Sequence, residues 1–199
     1  MSHQTDPEKR RAIITATIEL IAERGFHATP TSMIAARAGV GAGSIYRYFA
    51  DKETLIHEAF AEIAARMHRT ILDGYPRGES IRRRFDHFFC HMANFFMSNP
   101  SDFGFLRQYF DSPFGIALRR DKIMEQECHN RDCESIGCLV QEGIESGLFK
   151  DMPMLVHVSM IFGALTSVAR DYILGFVPLD TPLIHSISDS LWEAMLRRA

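Results

Sequence analysis

The segment VGAGSIYRYFADKETL, residues 40–55, concentrates side chains that could bind a nucleic acid. Ile45 and Phe49 lie one helical turn apart and are predicted to face a core, which leaves residues 46–48 on exposed or flanking faces. Those three residues are Tyr46, Arg47 and Tyr48. Tyrosine hydroxyls and arginine bind phosphate oxygens, and arginine also reaches guanine edges. The preceding residues are small and would let the start of the helix lie close to a duplex: Ala42, Gly43 and Ser44.

Two short helices joined by a tight turn are predicted to position this segment. Thr29 is predicted to cap the second helix of the chain, with Pro30 in its first turn and an end at Ala38. Gly39 then permits the left-handed backbone of a tight turn, and the next helix runs from about residue 41 to residue 49. The pattern predicts a helix-turn-helix over residues 30–49.

Helical periodicity continues through most of the chain, and no strand is predicted. The first helix is expected to begin at Asp6-Pro7 and to end at Gly25, and Asp51 is expected to cap a fourth helix. The apolar stripe of that fourth helix consists of Ile56, Phe60, Ile63, Met67 and Ile71. Glycine and proline breaks divide the remainder into about five helices, which predicts an all-α fold of about nine helices.

Charge and cysteine content limit the class of protein. Residues 1–52 hold seven Lys/Arg against five Asp/Glu, a net +2, whereas the remainder holds 15 against 20, a net −5. A small basic domain joined to a larger acidic one suits phosphate binding. The start of the chain lacks an apolar leader, no stretch is long enough to span a membrane, and four cysteines are too few for a secreted disulfide framework. We therefore expect a cytoplasmic protein without a membrane partner.

The stretch TSMIAARAGVGAGSIYRYFADKETL resembles the DNA-binding signature of TetR-family transcriptional repressors. The family pattern joins a second helix of small residues, Ala-Gly-Val, a recognition helix ending in Tyr-x-x-Phe, and a lysine shortly afterwards. The resemblance covers about residues 8–68, and it implies a DNA-binding domain there and a ligand-binding and dimerisation domain over residues 69–199. It also implies a ligand-responsive regulator, a repressor that a small apolar or aromatic effector releases from its operator.

The resemblance assigns roles to nine residues of the first domain. Thr31 and Ser32 would meet the DNA backbone, Tyr46 and Tyr48 would anchor to phosphates, and Lys52 would hold the strand. Base edges or adjacent phosphates would face Ala42, Gly43, Ser44 and Arg47. Many relatives carry longer side chains at residues 41–43, so direct base readout here would depend on Ser44 and Arg47, with DNA shape contributing to specificity.

Nine of the fifteen phenylalanines lie between residues 85 and 114, which is more aromatic bulk than one helix face requires. A packed core explains each ring singly, but the cluster, with flexible methionines beside it, also suits an apolar ligand cavity. We predict that the effector binds among Met67, Ile71, Phe85, Phe88, Phe89, Met92, Phe96, Phe103, Leu106, Tyr109, Phe110 and Phe162. A neutral or cationic effector is expected, because Arg107 is the only Lys or Arg between residues 88 and 110.

Two later helices predict the assembly. The helix from Pro153 to Gly175 is apolar almost all round, and the last helix, Thr181 to Arg198, carries an apolar stripe. A helix without a polar face must be covered on every side, so the pair is expected to meet its copy in a four-helix interface. The predicted interface residues are Ile161, Leu165, Val168, Tyr172, Ile184, Ile187, Leu191 and Met195. The homodimer would read a pseudo-palindromic operator.

Other chemistry has weaker support in the sequence. His87 and His91 flank Cys90 at helical spacing, and His129 and Cys133 repeat that interval beside Cys128, but neither group has the spacing of a closed structural metal site. Inert thiols are favoured over a thiol sensor for Cys128, Cys133 and Cys138. No catalytic or cofactor motif is present, so neither an enzyme nor a cofactor is expected. The alternative function is a dimeric helical protein that carries or senses a small molecule, a metal or an oxidant.

Overall fold

The computed structural model describes residues 6–117 and 134–198, which are helical apart from the connections. The helices are α1 (Pro7–Arg24), α2 (Thr31–Arg37), α3 (Ile45–Tyr48), α4 (Lys52–Leu72), α5 (Ile81–Ser98), α6 (Pro100–Phe110), α7 (Ile136–Glu145), α8 (Met154–Ile173) and α9 (Thr181–Met195). A 3-10 turn, Ala42–Ser44, precedes α3, and residues 113–117 are also helical. Within these two ranges the only β pairing is an isolated antiparallel bridge between Phe149 and Leu196. The predicted all-α fold is confirmed.

The described residues belong to two compact units. The first comprises those in Met1–Arg66 and Asn99–Glu125, and the second those in Met67–Ser98 and Gln126–Ala199. Helix α6 therefore packs in the same unit as α1 to α3, although α5 precedes it in the chain. No helix in the described part of the chain is long and apolar enough to cross a bilayer.

Helix α1 begins and ends where the sequence predicts. The Asp6 carboxylate accepts a first-turn N–H at 3.0 Å, and Gly25 ends the helix with a φ of 77°. The prediction that Thr29 caps α2 is wrong, because α2 follows Pro30 and has no side-chain cap. The buried Thr29 hydroxyl instead donates a shared hydrogen bond to the carbonyls of Leu20 and Gly25, at 3.2 and 2.8 Å. The Gly25 carbonyl lies beyond the last turn of α1 and has no helical partner, and this hydroxyl satisfies it.

The turn between α2 and α3 forms as predicted. Gly39 has a φ of 66°, and the N–H of Val40 donates to the carbonyl of Ala35 at 2.9 Å. A side chain at residue 39 would oppose this left-handed backbone. After α3, Asp51 accepts the N–H of Thr54 at 2.7 Å, and this bond lowers the pKa of the Asp51 carboxyl. The turn of the helix-turn-helix and the start of α4 are thus fixed by local hydrogen bonds.

Helix α6 packs closely against α1 and α4. A Cβ on Gly104 would lie 2.9 Å from the Cβ of Ala22, so the glycine permits the close approach of α6 to α1. On the α4 side, Arg66 donates to both carboxylate oxygens of the buried Asp102, at 2.7 and 2.8 Å. The ring of Tyr109 also stacks on Phe60 of α4, with centroids 4.3 Å apart. Helices α1, α4 and α6 therefore share one core.

The second unit packs α5 with α7, α8 and α9. Trp192 of α9 lies against Phe85 of α5, with ring centroids 5.5 Å apart. Helix α9 ends at Met195, three residues before the predicted end at Arg198. The backbone there pairs with another segment instead: Lys150 N–H donates to the Met195 carbonyl at 2.9 Å, and Arg197 N–H donates to residue 148 at 3.0 Å. These two bonds take up backbone groups that a longer helix would have used internally.

Candidate DNA-binding surface and effector-binding residues

Helix α3 is oriented by two buried residues. Ile45 and Phe49 are 0% and 1% exposed, as their spacing predicts, and the same geometry leaves Tyr46 57% exposed. Arg47 is also exposed, and Tyr48 is half-buried. A tyrosine and an arginine held outward by a packed helix are available to bond phosphates and base edges.

Tyr46 is tied to α2. Its hydroxyl hydrogen-bonds the Thr31 hydroxyl at 3.3 Å, and the next residue of α2, Ser32, is exposed. Gly43 is exposed and Ser44 is half-buried in the 3-10 turn, which begins at Ala42, whose side chain lies outside the described residues. Of the predicted DNA-contacting residues, Thr31 of α2 and Tyr46 of α3 therefore meet directly.

An open cleft of about 360 Å³ lies beside α3. It is lined by Asp6, Lys9, Gly39, Val40, Gly41, Ser44, Arg47 and Tyr48. Lys9 was not among the predicted DNA-contacting residues, and its ammonium lies 3.5 Å from the Asp6 carboxylate. The only sequence signal for it was the basic run at residues 9–11, and the packing of α1 against the turn is what brings Lys9 to Arg47.

Lys52 has a structural partner. Its ammonium donates to the carbonyl of Phe26 at 2.9 Å, and burial lowers its pKa from the ordinary value. An ammonium carries three donors, so this bond leaves others for a phosphate. Lys52 therefore joins the start of α4 to the segment that follows α1, in addition to the DNA contact that the family resemblance implies.

Arg37 and Arg47 differ in whether their guanidinium groups have partners in the protein. The Arg37 guanidinium, on α2, donates to Glu19 at 3.1 Å and to Glu23 at 3.2 Å, and these bonds lower the pKa of the Glu23 carboxyl. Arg47 makes no hydrogen bond or ion pair to any described residue. The fold thus pairs Arg37 with α1 and leaves the Arg47 guanidinium without an acidic partner among the described residues.

The predicted effector residues divide between the two units. In the second unit they are buried or half-buried: Met67, Ile71, Phe85, Phe88, Phe89, Met92, Phe96 and Phe162. Phe88 of α5 meets Phe162 of α8 edge to face, with centroids 6.1 Å apart. A cavity beside Phe89 and Ala93 has a volume of only about 10 Å³. An effector binding there would have to displace side chains, since this space barely admits one water.

In the first unit the predicted effector residues are those of α6: Phe103, Leu106, Tyr109 and Phe110. The first three are buried, whereas Phe110 is 48% exposed. The Tyr109 hydroxyl hydrogen-bonds Nδ1 of His57 at 3.1 Å, and burial raises the pKa of Tyr109. These rings pack on α4 and so couple α6 to the helix that carries Lys52.

The predicted dimer residues also divide. Four of them belong to the core of the single chain and are at most 2% exposed: Ile161, Leu165, Ile184 and Met195. Val168, Ile187 and Leu191 are half-buried, and Tyr172 is 37% exposed. A larger exposed apolar surface lies at the end of α8, where Leu174 and Phe176 are 56% and 73% exposed. We refer to residues 172–177 as the apolar segment.

The histidine and cysteine groups differ from one another. His87 Nε2–H donates to the carbonyl of Ile71 at 2.7 Å, and His91 Nδ1–H donates to that of His87 at 2.8 Å, so each ring already holds a backbone carbonyl. Cys138 is disulfide-bonded, and the expectation of an inert free thiol is therefore wrong for it. Cys128, His129 and Cys133 lie outside the described residues.

Comparison with known proteins agrees with this geometry. Residues 13–59 match the model of the bacterial regulatory proteins of the tetR family, and residues 60–197 match a tetracyclin repressor-like C-terminal domain. The fatty acid metabolism regulator protein of Bacillus subtilis is 26% identical over 193 residues, which cover 94% of each chain. The regulator BetI of Escherichia coli is 37% identical over 78 residues, 38% of this chain and 40% of BetI.

Solved structures share the fold. A TetR family transcription regulator from Marinobacter aquaeolei superimposes with a TM-score of 0.82 at 23% identity, covering 98% of this chain and 99% of that one. The fatty acid degradation regulator FadR from Bacillus halodurans gives a TM-score of 0.70 at 24% identity, covering 95% and 96%. The two family matches together span residues 13–197, most of the chain. The chain is a DNA-binding transcriptional regulator of the TetR family.

Proposed function

We propose that this regulator binds a pseudo-palindromic operator in the cytoplasm as a homodimer, with residues 8–68 as the DNA-binding domain and residues 69–199 binding effector and partner. The main support is the outward presentation of Tyr46 and Arg47 over the buried pair Ile45 and Phe49. Each protomer inserts α3 into the major groove of one half-site. Arg47 and Ser44 read base edges, while Thr31 and the tyrosines bond phosphates.

The test is selection of bound duplexes from a random-sequence library, followed by titration of the selected duplex at several salt concentrations. We expect two inverted half-sites about one helical turn apart and an affinity that falls steeply with salt. A Tyr48→Phe variant should bind all duplexes more weakly and keep the selected sequence, because it loses a hydroxyl that contacts only phosphate. Equal affinity for selected and scrambled duplexes at every salt concentration would refute the proposal.

Dimerisation is proposed to use the apolar segment of residues 172–177. The side chains of Leu174 and Phe176 are exposed, and water solvates such apolar groups poorly. Val156 of α8 and Leu183 of α9 are also exposed apolar residues. The exposed face of α8 also carries Gly163 and Ser167, which permit close approach of a second helix. The buried residues Ile161 and Leu165 support this face from inside the protomer.

The effector is proposed to be a molecule with an apolar chain that binds among the rings of α5 and α8. Two relatives that match this chain over most of its length are named for fatty acid metabolism or degradation, and an acyl chain suits the apolar surroundings of Phe88, Met92 and Phe162. The carboxylate of a free fatty acid differs from the neutral or cationic effector that the sequence predicts. Methionine and phenylalanine side chains can rearrange around such a chain without breaking hydrogen bonds. The effector must bind the DNA-free conformation more tightly, since equal affinity for both states would shift neither.

A titration with fatty acids and acyl thioesters of increasing chain length tests the effector. We expect longer chains to raise the melting temperature and to release the selected operator, and Met92→Ala to alter the preferred chain length. Phe114→Ala is the matched control, because that half-buried ring lies in the other unit and is not among the predicted effector residues. A compound that stabilises the protein without releasing DNA would contradict the regulatory role, while DNA binding itself would stand.

A further inference from the structure

Three potential metal ligands from two helices meet in the second unit. Asp86 and Cys90 lie one turn apart on α5, and His185 lies on α9. A carboxylate oxygen, the thiol sulfur and a ring nitrogen all lie within 4.8 Å of one another. Cys90 Sγ lies 3.6 Å from Nδ1 and 4.0 Å from Nε2 of His185. This group is separate from the DNA-binding residues and from the His87–His91 pair.

We propose that Asp86, Cys90 and His185 bind a divalent metal ion of the zinc class, with water in the fourth position. Zinc binds thiolate at about 2.3 Å and imidazole at about 2.0–2.1 Å, so tetrahedral geometry places the two ligand atoms about 3.6 Å apart. The observed separation of Sγ from Nδ1 is 3.6 Å. Binding replaces the S–H bond of Cys90 by an S–metal bond, and the thiol proton passes to solvent.

The neighbours of the cluster fit a cation. Ser188 donates its hydroxyl to Oδ1 of Asp86 at 2.6 Å, which fixes the carboxylate and leaves Oδ2 without a donor among the described residues. Arg82 lies 3.3 Å from the same Oδ1, but it also pairs with Asp189 and stacks 5.1 Å from the ring of Trp192. Arg82 therefore has a second acidic partner to retain when a metal occupies Asp86. The carboxylates of Asp86 and Asp189 both face the Arg82 guanidinium, so these three groups carry a net charge of about −1 before the Cys90 thiol ionises.

The helical positions keep this cluster accessible. Ser188 and Asp189 lie three and four residues after His185 and so share its face of α9, turned toward α5. Leu183, a residue of the surface proposed for dimerisation, lies two residues before His185, about 200° around the helix, and so points away from the face that holds the cluster. Asp86 and Cys90 are half-buried and His185 is exposed, which provides both a shielded site and a path for the ion.

A thiol–imidazole hydrogen bond is the simpler explanation of the Cys90–His185 contact. Such a hydrogen bond explains the distance between Cys90 and His185. It does not explain why Ser188 holds the Asp86 carboxylate beside the pair. Thiol oxidation is a weaker alternative, because it gives no role to the Asp86 carboxylate and the His185 ring beside the thiol. A metal ion is the ligand whose preferences match sulfur, nitrogen and oxygen together.

Cobalt(II) is the probe, since a cobalt–thiolate bond gives a charge-transfer absorption that nitrogen and oxygen ligands do not. Full-length, metal-free protein is titrated anaerobically without added reductant, so that the Cys138 disulfide remains intact. We expect one cobalt ion per chain, displaced by zinc, and a charge-transfer band that Cys90→Ser abolishes. His185→Gln should weaken binding at least tenfold, and Ser188→Ala by about tenfold through the freed carboxylate.

His91→Gln is the matched control, because it removes a histidine adjacent to Cys90 on the same helix but outside the cluster. It should bind cobalt as the wild type does. His185→Gln keeps the comparison valid if a buried variant misfolds, since this side chain is exposed, and circular dichroism checks each variant. The proposal is overturned if the wild type shows no charge-transfer band, if Cys90→Ser retains it, or if His91→Gln weakens binding as much as His185→Gln.

Discussion

Arg47→Ala is the sharpest test of the proposed DNA surface. Arg47 is exposed at the cleft beside α3 and makes no ion pair with any described residue, so its removal should change the free energy of unfolding by less than about 0.5 kcal/mol. Its effect should appear in DNA binding instead. A guanidinium in a recognition helix neutralises a phosphate or bonds a base edge, and a dimer presents it twice.

The expected change follows from counterion release. The logarithm of the binding constant falls with the logarithm of salt concentration by about 0.9 per phosphate neutralised. Two copies of Arg47 each neutralising one phosphate contribute about 1.8 to that slope. If Arg47 bonds a base instead, the slope changes less, and preference at that base pair falls by about 1–3 kcal/mol per half-site.

Arg37→Ala is the matched control. It removes the same charge from the same domain, but the Arg37 guanidinium is already held by Glu19 and Glu23 at 3.1–3.2 Å. Fluorescence anisotropy with a labelled operator, at five salt concentrations, should show a reduced slope or relaxed specificity for Arg47→Ala and a wild-type slope for Arg37→Ala. Equal slope changes in the two variants would mean that net charge, and not the placement of Arg47, drives binding. No change in slope or specificity with Arg47→Ala would refute the assigned role.

Four further outcomes are expected. Thr29→Val should lower stability by about 1–2 kcal/mol in urea unfolding because the Gly25 carbonyl loses its donor, whereas Thr29→Ser should not. Asp102→Ala should lower the free energy of unfolding by about 2 kcal/mol, which is less than for a fully buried ion pair because the Arg66 side chain is one-third exposed. A double-mutant cycle with Arg66→Ala should show that the two substitutions are coupled. Phe176→Glu should weaken the dimer by roughly 10²–10⁴-fold in sedimentation, from about 3–6 kcal/mol of lost burial over two copies, and an unchanged dimer would exclude this surface. Burial lowers the pKa of His87, so below about pH 6.5 the unfolded chain binds a proton before the folded chain does. The free energy of unfolding should therefore decrease as the pH is lowered below about 6.5, and it should decrease less in His87→Gln.

Local chemistry made the DNA-binding helices predictable. Asp6, Gly25, Gly39 and Asp51 each act through a backbone bond or a φ angle within a few residues, and the structure has all four where the sequence indicates. Ile45 and Phe49 are buried because one helical turn separates them. Such features depend on neighbours in the chain, which the sequence displays directly.

Features that depend on distant contacts were not predictable in this way. Thr29 has the residue type of an N-cap, and only the path of the chain after α1 turns its hydroxyl back onto Leu20. Lys9 reaches the cleft because α1 packs on the turn, and no spacing within α1 signals that. Similarly, the pattern of α8 shows that its faces must be covered but not which face the protomer covers itself, and the structure assigns Ile161 and Leu165 to its own core.

The contacts of α6 limit how an effector could act on DNA binding. Gly104 lets α6 approach α1, and Tyr109 holds α4 through a ring stack and a hydrogen bond. At the start of α4, less than three turns before Phe60, Lys52 is bonded to the carbonyl of Phe26 just after α1. Separating α4 from α1 would break this charged hydrogen bond, at a cost of about 1.5–3 kcal/mol, as well as the packing of α6. We therefore expect the unit to move as one body, so that an effector changes the separation of the two recognition helices in a dimer while each helix-turn-helix keeps its shape.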